Sequence, residues 1–164
     1  MGPAVARQPP VLWPEVVGVG KSVGAFGAHG ADGADDVVAI GSAARGALGK
    51  FGEQVAVDHL VAKGLTVVER NWRCREGEVD IIAVEGDVLV MCEVKTRRGL
   101  GFGTPLEAIT PAKAARLRRL AGRWLADQRA IDESVHYAEV RFDVVSVLRP
   151  LSGRTSVEHL RAAF

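Results

Sequence analysis

The sequence has few of the residues that build disulfide frameworks or zinc sites. Its 164 residues include two cysteines, Cys74 and Cys92, and four histidines. Neither cysteine has zinc-ligand spacing or a histidine partner nearby, and the histidines are scattered at positions 29, 59, 136 and 159. These absences exclude a disulfide scaffold and argue against a zinc centre. We therefore expect two reduced thiols, with Cys92 as a small core residue.

Long apolar runs are also missing. No stretch approaches the roughly 20 apolar residues that a transmembrane helix needs. No basic start is followed by an apolar core and a cleavage site, which is the pattern of a secretory signal. We therefore expect no membrane association and a cytoplasmic location.

Neither positive nor negative charge predominates overall, because the formal net charge is +1. The charges are nevertheless unevenly distributed along the chain. Residues 45–94 carry six Lys/Arg and nine Asp/Glu, a balance of −3, whereas residues 95–129 carry nine and two, a balance of +7. A basic segment beside an acidic one suits an enzyme that binds a polyanion near a metal site. The alternative is an ordinary solvated helix face.

Residues 1–44 lack a sustained helical or strand period and are rich in Gly, Ala, Pro and Val. We expect a disordered extension there and a single domain over residues 45–164. The segment Gly18–Ser22 resembles part of a phosphate-binding loop, but Glu15 occupies the position of the required first glycine. That motif is therefore excluded.

The acidic residues of interest lie on two apolar segments joined by a short turn. Asp80 lies within the run from Val79 to Val84, and Glu93 and Lys95 lie at the end of the run that starts at Val88. The Gly86-Asp87 pair between the runs is typical of a two-residue hairpin turn. The pattern predicts two antiparallel strands that are buried on both faces.

With a two-residue turn, Glu85 pairs with Val88, and the same register puts Asp80 opposite Glu93 and Glu78 opposite Lys95. Directly opposed residues hold their Cβ atoms about 4.5–5.5 Å apart, so two carboxylates there repel unless a cation or a proton lies between them. A three-residue loop would instead pair Asp80 with Cys92.

Two carboxylates and a lysine suit phosphodiester hydrolysis. Mg²⁺ prefers oxygen ligands and is typically held by one or two carboxylates together with phosphate oxygens and water. Asp80 and Glu93 are candidate ligands, and the Lys95 ammonium is a candidate for stabilising developing charge. In the alternative interpretation, Glu78 and Lys95 form an ordinary cross-strand ion pair, and Asp80 and Glu93 face solvent.

A basic helix is predicted after the hairpin. Thr110 is a suitable N-cap and Pro111 a suitable first residue, and the apolar positions from Leu117 to Leu125 form one stripe that includes Trp124. Trp124 is therefore a predicted core residue, not a base-stacking platform. The candidate nucleic-acid-binding residues are those on this helix and in the Gly-rich loop before it, namely Arg97, Arg98, Lys113, Arg116, Arg119 and Arg123. In the alternative, that loop is a flexible connection whose Phe102 packs on the core.

The predicted elements follow one another in an order typical of an α/β domain. A helix from Phe51 to Ala62 ends before Gly64, and a first strand begins at Leu65–Val68. A strong strand pattern surrounds Asp143, and residues 157–160 form a short final strand. Helix, three strands, helix and one or two strands predict a mixed sheet of four to five strands flanked by helices.

Several motifs, taken in order, resemble one known family. They are Gly52-Glu53, Arg70-Asn71-Trp72-Arg73, Gly77-Glu78-Val79-Asp80-Ile81-Ile82-Ala83 and Glu93-Val94-Lys95-Thr96-Arg97. Over about residues 45–149 the chain is similar to the YraN family, uncharacterised bacterial proteins assigned to the PD-(D/E)XK nuclease superfamily. The resemblance implies a restriction-endonuclease-like core in which Asp80, Glu93 and Lys95 act with one or two metal ions. It also implies that Glu53, on the first helix, is a further acidic ligand.

We therefore expect a Mg²⁺- or Mn²⁺-dependent nuclease that acts on DNA, with branched or processed structures as candidate substrates. One alternative is a domain with the same fold that binds nucleic acid without cutting it. Another is a protein-interaction domain in which the acids only pair with neighbouring bases.

Overall fold

The computed structural model describes residues 33–99 and 110–164, with side chains from residue 45 onward. Helix α1 spans Gly33–Ala62. Residues 33–44, which the sequence predicts to be disordered, therefore belong to this helix. The segment has no proline, and adding turns to a helix that is already anchored costs little, since nucleation is the expensive step. The rest of the predicted extension, residues 1–32, lies outside the described part of the chain.

Helix α1 ends where the sequence predicts. Gly64 adopts a left-handed conformation with φ 89°, which glycine reaches without a Cβ penalty. The Leu65 N–H then donates to the Leu60 carbonyl at 3.0 Å, closing the last turn of the helix. This cap turns the chain into the first strand.

Five strands form one mixed sheet, confirming the predicted fold class. Along the chain the remaining elements are β1 (Thr66–Cys74), β2 (Gly77–Glu85), β3 (Val88–Arg97), α2 (Pro111–Ile131), β4 (Glu139–Leu148) and β5 (Ser156–Leu160). The strands lie side by side in the order β1-β2-β3-β4-β5. Only β3 and β4 run parallel, and α2 connects them. The arrangement is that of a restriction-endonuclease-like core.

The turn between β2 and β3 is the predicted one. Glu85 pairs with Val88, which makes Gly86 and Asp87 the two turn residues. Gly86 has φ 62°, whereas Asp87 is not among the residues with positive φ, which is the combination of a type II′ turn with Gly at its first central position. The register inferred from the sequence is therefore confirmed near the turn.

The two helices cover opposite faces of the sheet, because neighbouring strand residues point to opposite sides. The α1 side contains a cluster of nine buried residues: Ala56, Leu60, Leu65, Ile81, Ala83, Val90, Cys92, Val145 and Val147. The α2 side contains a second cluster of nine: Val79, Ile82, Leu89, Met91, Leu117, Leu120, Ala121, Trp124 and Phe142. Strands β2 and β3 contribute to both clusters and so form the centre of a three-layer domain.

Helix α2 has the predicted cap and core stripe. The Thr110 hydroxyl accepts a hydrogen bond from the Lys113 backbone N–H at 3.2 Å, and Pro111 opens the helix. Trp124 is fully buried. Its indole N–H donates to Glu69 Oε2 at 2.8 Å, so the one polar atom of this core residue has a partner.

A buried ionic cluster ties the C-terminal segment to the sheet. Asp143, which is fully buried, accepts two hydrogen bonds from the Arg141 guanidinium at 2.9 Å each. Its carboxylate also lies 3.0 Å from His159 Nε2 on β5 and accepts from the Ala162 N–H at 3.0 Å. The His159 ring meets His59 of α1 edge-on, with ring centroids 5.5 Å apart. Sequence spacing gives no indication of this cluster.

Two further features bear on the sequence predictions, namely the state of the cysteines and the apolar length of the helices. Both cysteines are free thiols, with Cys92 buried and Cys74 half-buried. In the part of the chain that the structure describes, no helix is both long and apolar enough to cross a membrane.

Candidate active site

The site lies at a fork between two central strands. Strands β2 and β3 pair from Glu85 and Val88 up to Ile81 and Cys92. Beyond that point β2 remains paired with β1, and β3 remains paired with β4. The next residues on the two arms of the fork are Asp80 and Glu93. The fork therefore opens at the two acids that the sequence singles out.

The side-chain pattern of β2 also changes at Asp80. Ile81 packs in the cluster under α1, whereas Val79, two residues earlier, packs in the cluster under α2. Residues two apart in a regular strand share one face, so the alternation breaks at Asp80. Strict alternation of the sequence pattern could not predict this break.

Asp80 closes the base of the fork. Its Oδ2 accepts a hydrogen bond from the Val94 backbone N–H at 2.7 Å, so the carboxylate satisfies a donor that has no ladder partner on β2. Burial and, after it, the nearby negative charge of Glu93 raise the pKa of Asp80 to about 6, although the hydrogen bond from Val94 acts in the opposite direction. Such a shift is typical of carboxyls in functional sites, where like charges are held close together.

Glu93 is buried and receives two lysines. The Lys95 and Lys113 ammonium groups each donate to Glu93 Oε1 at 2.5 Å. Burial favours the neutral acid, but the hydrogen bonds from Lys113 and Lys95 outweigh it and lower the pKa of Glu93. Glu93 is therefore the ionised member of the pair, and Asp80 is the one whose charge the fold disfavours.

Glu78 does not face Lys95, so that part of the predicted register is wrong. The ladder between β2 and β3 has ended before Glu78, which pairs with Arg73 on β1 instead. The Arg73 guanidinium contacts the Glu78 carboxylate at 2.9 Å, with both side chains largely exposed. The alternative of a Glu78–Lys95 ion pair is therefore also excluded.

Glu53 is held beside the site from helix α1. Asn71 Nδ2 donates to Glu53 Oε2 at 3.0 Å, and Arg70 donates to the neighbouring Gln54 at 3.0 Å. Asn71 has a positive φ of 53°, a conformation that asparagine tolerates better than most residues. Two separate motifs, Gly-Glu and Arg-Asn-Trp-Arg, are thus joined by side-chain hydrogen bonds. No separate role for Asn71 follows from the sequence.

Gly52 allows α1 to approach the end of β3. A Cβ built on Gly52 would lie 1.7 Å from Thr96 Oγ1 and 2.7 Å from Thr96 Cβ. Any side chain there would push the helix off the strand, because both atoms are far inside contact distance. The glycine therefore sets how near Glu53, the next residue, comes to the fork.

The donor set suits a hard divalent ion. Mg²⁺ typically takes one or two carboxylates plus water and phosphate oxygens, and Asp80 and Glu93 supply two. The negative charge of Glu53 raises the pKa of Asp80, after burial and Glu93, so Glu53 is close enough to interact. Over residues 33–99 and 110–164, however, no three acidic, His or Cys side chains come together as a metal cluster. The predicted ligand role of Glu53 therefore stays a prediction.

The predicted basic residues of α2 separate into different environments. Lys113 reaches Glu93, and the Arg116 guanidinium lies against the turn at Gly77. Arg119 and Arg123 are exposed, and Arg123 pairs with Asp127 at 3.1 Å. Because spacings of three and four keep residues on one side of a helix, we call Lys113, Arg116, Arg119 and Arg123 the basic row. At 1.5 Å per residue it extends about 15 Å from the fork.

The two loop arginines continue from β3. Arg97 is half-buried and Arg98 exposed. Arg98 also lines a cleft of about 440 Å³ with Arg149, Leu48 and Leu151; that cleft does not include the acids of the fork. The rest of the Gly-rich loop falls on residues 100–109 and lies outside the described residues, so its predicted contact with nucleic acid and the alternative packing of Phe102 both stay predictions.

Comparison with known proteins gives one family. The model of the uncharacterised protein family UPF0102 matches residues 52–147. A UPF0102 protein of Acidothermus cellulolyticus is 54% identical over 128 residues, covering 75% of this chain and 97% of the relative. One from Beutenbergia cavernae is 57% identical over 118 residues, covering 72% and 96%. The matched region contains every residue of the fork.

Proposed function

The chain belongs to the uncharacterised protein family UPF0102, the YraN family that its motifs predict, and we propose that it is a metal-dependent nuclease hydrolysing phosphodiester bonds in DNA. One observation carries the proposal. Asp80 and Glu93 occupy the two arms of the fork, and the Lys95 ammonium contacts Glu93 at 2.5 Å. Two adjacent acids and a lysine are the groups that such hydrolysis needs.

Each residue then has a distinct task. Asp80 and Glu93 would hold Mg²⁺ or Mn²⁺, which when bound lowers the pKa of a water ligand and offsets phosphate charge. Lys95 would donate to a phosphate oxygen or orient the attacking water. Glu53 would supply outer negative charge through its position beside Asp80. Hydrolysis adds the water oxygen to phosphorus, breaks one P–O ester bond and returns a proton to the leaving oxygen.

The basic row provides a path for the substrate backbone. It begins at the fork and extends about 15 Å along α2, which matches roughly four nucleotides at 3.4 Å per step. The first turn of α2 contains no acidic residue, so its N–H groups favour a phosphate near Lys113. Arg97 and Arg98 would add contacts on the β3 side. Such an activity would operate in the cytoplasm, where DNA is accessible.

The test is a cleavage assay with matched variants. Labelled duplex, single-stranded, flap and four-way-junction DNA would be incubated with purified protein, with and without Mg²⁺ or Mn²⁺. We expect metal-dependent cleavage of at least one substrate, lost in Asp80→Asn, Glu93→Gln and Lys95→Met. Glu133→Gln, which removes an exposed acid beyond the far end of α2, is the control and should cleave normally. Metal-dependent cleavage that survives Asp80→Asn would refute these assignments.

A second candidate function has one observation in its favour. Two ammonium groups already neutralise the charge of Glu93, as expected of a module that binds nucleic acid without cutting it. That module would bind DNA in a salt-dependent manner, lose binding in Arg116→Glu/Arg119→Glu and keep it in Asp80→Asn. Calorimetry separates the two candidates, because only the nuclease requires Mn²⁺ to bind at Asp80 and Glu93.

A further inference from the structure

The second lysine on Glu93 has no role in the acid–acid–lysine set. Lys95 follows Glu93 by two residues on β3, whereas Lys113 comes from the first turn of α2. Both ammonium groups contact the same oxygen, Oε1, at 2.5 Å. Their side chains are 30% and 19% exposed, so Lys113 is the less solvated of the two.

The start of helix α2 fixes the position of Lys113. The Thr110 hydroxyl accepts from the backbone N–H of Lys113, and Pro111 restricts the backbone between them. The residue that is capped through its backbone is therefore also the one that contacts Glu93 through its side chain. A shift of the helix start by one residue would rotate Lys113 by about 100° away from the fork.

The cost of this arrangement argues for a role. Two like charges that share one acceptor repel each other, and burying a lysine costs free energy unless it is paired. A single lysine would already neutralise Glu93, so the second lysine brings positive charge that Glu93 by itself does not require. A site that must receive further negative charge would explain it.

The formal charges of the site show how much negative charge it can receive. Asp80, Glu93 and Glu53 give −3, and Lys95 and Lys113 give +2, so the site carries −1. A divalent ion brings it to +1 with Lys113 present and to 0 without it. A phosphodiester carries −1, and attack by water adds more negative charge, so the additional positive charge stabilises the transition state.

We propose that Lys113 is a positioning residue of the catalytic centre, which holds Glu93 from α2 and sets the electrostatic balance between metal binding and turnover. The inference rests on the proposed function and deepens it. Lys113 contacts Glu93, and through that carboxylate it opposes binding of the cation while it favours the anionic transition state. The two effects have opposite signs.

The experiment measures both effects in Lys113→Met. We expect Mn²⁺ to bind about tenfold more tightly by calorimetry, because about 1.4 kcal/mol of charge repulsion is removed. In the same variant we expect kcat for DNA cleavage to fall by about a hundredfold, as when one electrostatic donor is lost. A residue that only stabilised the fold would weaken both Mn²⁺ binding and turnover when removed.

Three further variants isolate the cause. Lys113→Gln keeps a donor for Glu93 without the charge and should also tighten Mn²⁺ binding, which covers the case in which Lys113→Met does not fold. Lys113→Arg keeps the charge and should stay within about twofold of wild type, well under the tenfold that 1.4 kcal/mol represents. Arg118→Met removes a charge from the same helix away from Glu93 and should change neither quantity.

The outcomes distinguish this inference from the proposed function. If wild type binds Mn²⁺ and cleaves DNA but Lys113→Met binds Mn²⁺ no more tightly, the role of Lys113 is wrong and the nuclease stands. If wild type binds Mn²⁺ but cuts no substrate, the nuclease is wrong, and Mn²⁺ affinities alone decide the role of Lys113. If neither wild type nor any variant binds Mn²⁺, both are wrong.

Discussion

The Asp80 carboxylate accepts a hydrogen bond from the Val94 N–H at 2.7 Å, just beyond the last paired residues of β2 and β3. Where the two strands separate, the Asp80 side chain thus replaces a backbone carbonyl of β2 as the acceptor for a β3 N–H. This bond fixes one oxygen of Asp80 and places its carboxylate next to Glu93. In that position the pKa of the Asp80 carboxyl is raised to about 6, so the fold disfavours its charged form.

Replacing Asp80 with Asn should stabilise the metal-free protein at pH 8. A folded-state pKa of about 6, above the ordinary 3.8, means that between these two pH values the folded protein holds a proton which the unfolded chain has lost. The contribution of Asp80 to stability is therefore fully present below pH 3.8 and is lost as pH rises through 6. Asn keeps the acceptor for Val94 and carries no charge.

We expect Asp80→Asn to be more stable than wild type by about 3 kcal/mol at pH 8. The measurement is urea unfolding in EDTA at pH 8 and at pH 4, where the difference should largely vanish. Equal stability of the two proteins at pH 8 would show that the fold imposes no cost on the Asp80 charge.

Adding a methyl group at Gly52 should disturb both packing and the site. Because its Cβ would lie 1.7 Å from Thr96 Oγ1, Gly52→Ala should lower the free energy of unfolding by about 1–3 kcal/mol. It should also displace Glu53 from Asp80. Thermal unfolding measures the first effect, and the pH dependence of Mn²⁺ binding measures the second.

Gly49→Ala is the matched control for Gly52. A Cβ at Gly49, in the same helix, meets nothing within 4 Å among the described residues. It should stabilise the protein by about 0.5–1 kcal/mol, because alanine loses less backbone entropy in a helix. If Gly52→Ala behaved in the same way, the close approach of α1 to Thr96 would be disproved.

Removing the charge of Asp143 should cause a large loss of stability. Burial would raise the pKa of Asp143, but hydrogen bonds from Arg141, the Ala162 N–H and His159 outweigh it and lower the pKa. Asp143 therefore stabilises the fold above its ordinary pKa of 3.8, and this contribution is lost as pH falls through the lower folded-state value. Breaking a buried ion pair typically costs about 3–5 kcal/mol.

We expect Asp143→Asn to lose about that much in urea unfolding at pH 7. Asp127→Asn removes an acid whose side chain is 42% exposed and should change the free energy by less than about 1 kcal/mol. A loss from Asp143→Asn no larger than that of the control would mean that the cluster does not anchor β5.

Two adjacent arginines on α2 should behave differently toward DNA. Arg119 is exposed in the basic row, whereas the Arg118 guanidinium lies 5.8 Å from the Phe164 ring centroid and 6.0 Å from that of Phe142. Arg119→Ala should weaken DNA binding and reduce the slope of log K against log salt by about one. Fluorescence anisotropy across a salt series measures this slope.

Arg118→Ala should leave the salt slope unchanged and instead lower stability by about 0.5–1 kcal/mol through lost cation–π contact. An equal reduction of the slope by the two substitutions would mean that the basic row is not a defined binding surface.

Features set by local pattern were predictable from the sequence. The Gly86-Asp87 turn fixed the register of the hairpin up to Ile81 and Cys92, and the continuous apolar runs on either side of the turn placed both segments in the core. Trp124 and its neighbours occupy the predicted face of α2. The α/β class with a mixed sheet follows from the same local patterns, since element order restricts the possible sheets. The restriction-endonuclease-like core was implied by the family resemblance.

Features that depend on competition between distant segments were not predictable in this way. Continuing the hairpin register past Ile81 and Cys92 would pair Asp80 with Glu93 and Glu78 with Lys95. In the structure β2 stays paired with β1 and β3 with β4 beyond that point, so Glu78 pairs with Arg73. The contact of Lys113 with Glu93 and that of Asn71 with Glu53 each join separate elements.

The sequence by itself determined the order of the elements, the hairpin turn and the core stripe of α2, and it singled out Asp80, Glu93 and Lys95 as candidates, because these depend on residue type and on spacing within one segment. Only the tertiary structure decided which groups meet those acids, because pairing between strands and the docking of α1 and α2 are long-range. The opening of the fork at Asp80, the second lysine on Glu93 and the burial of Asp143 all arise from that packing.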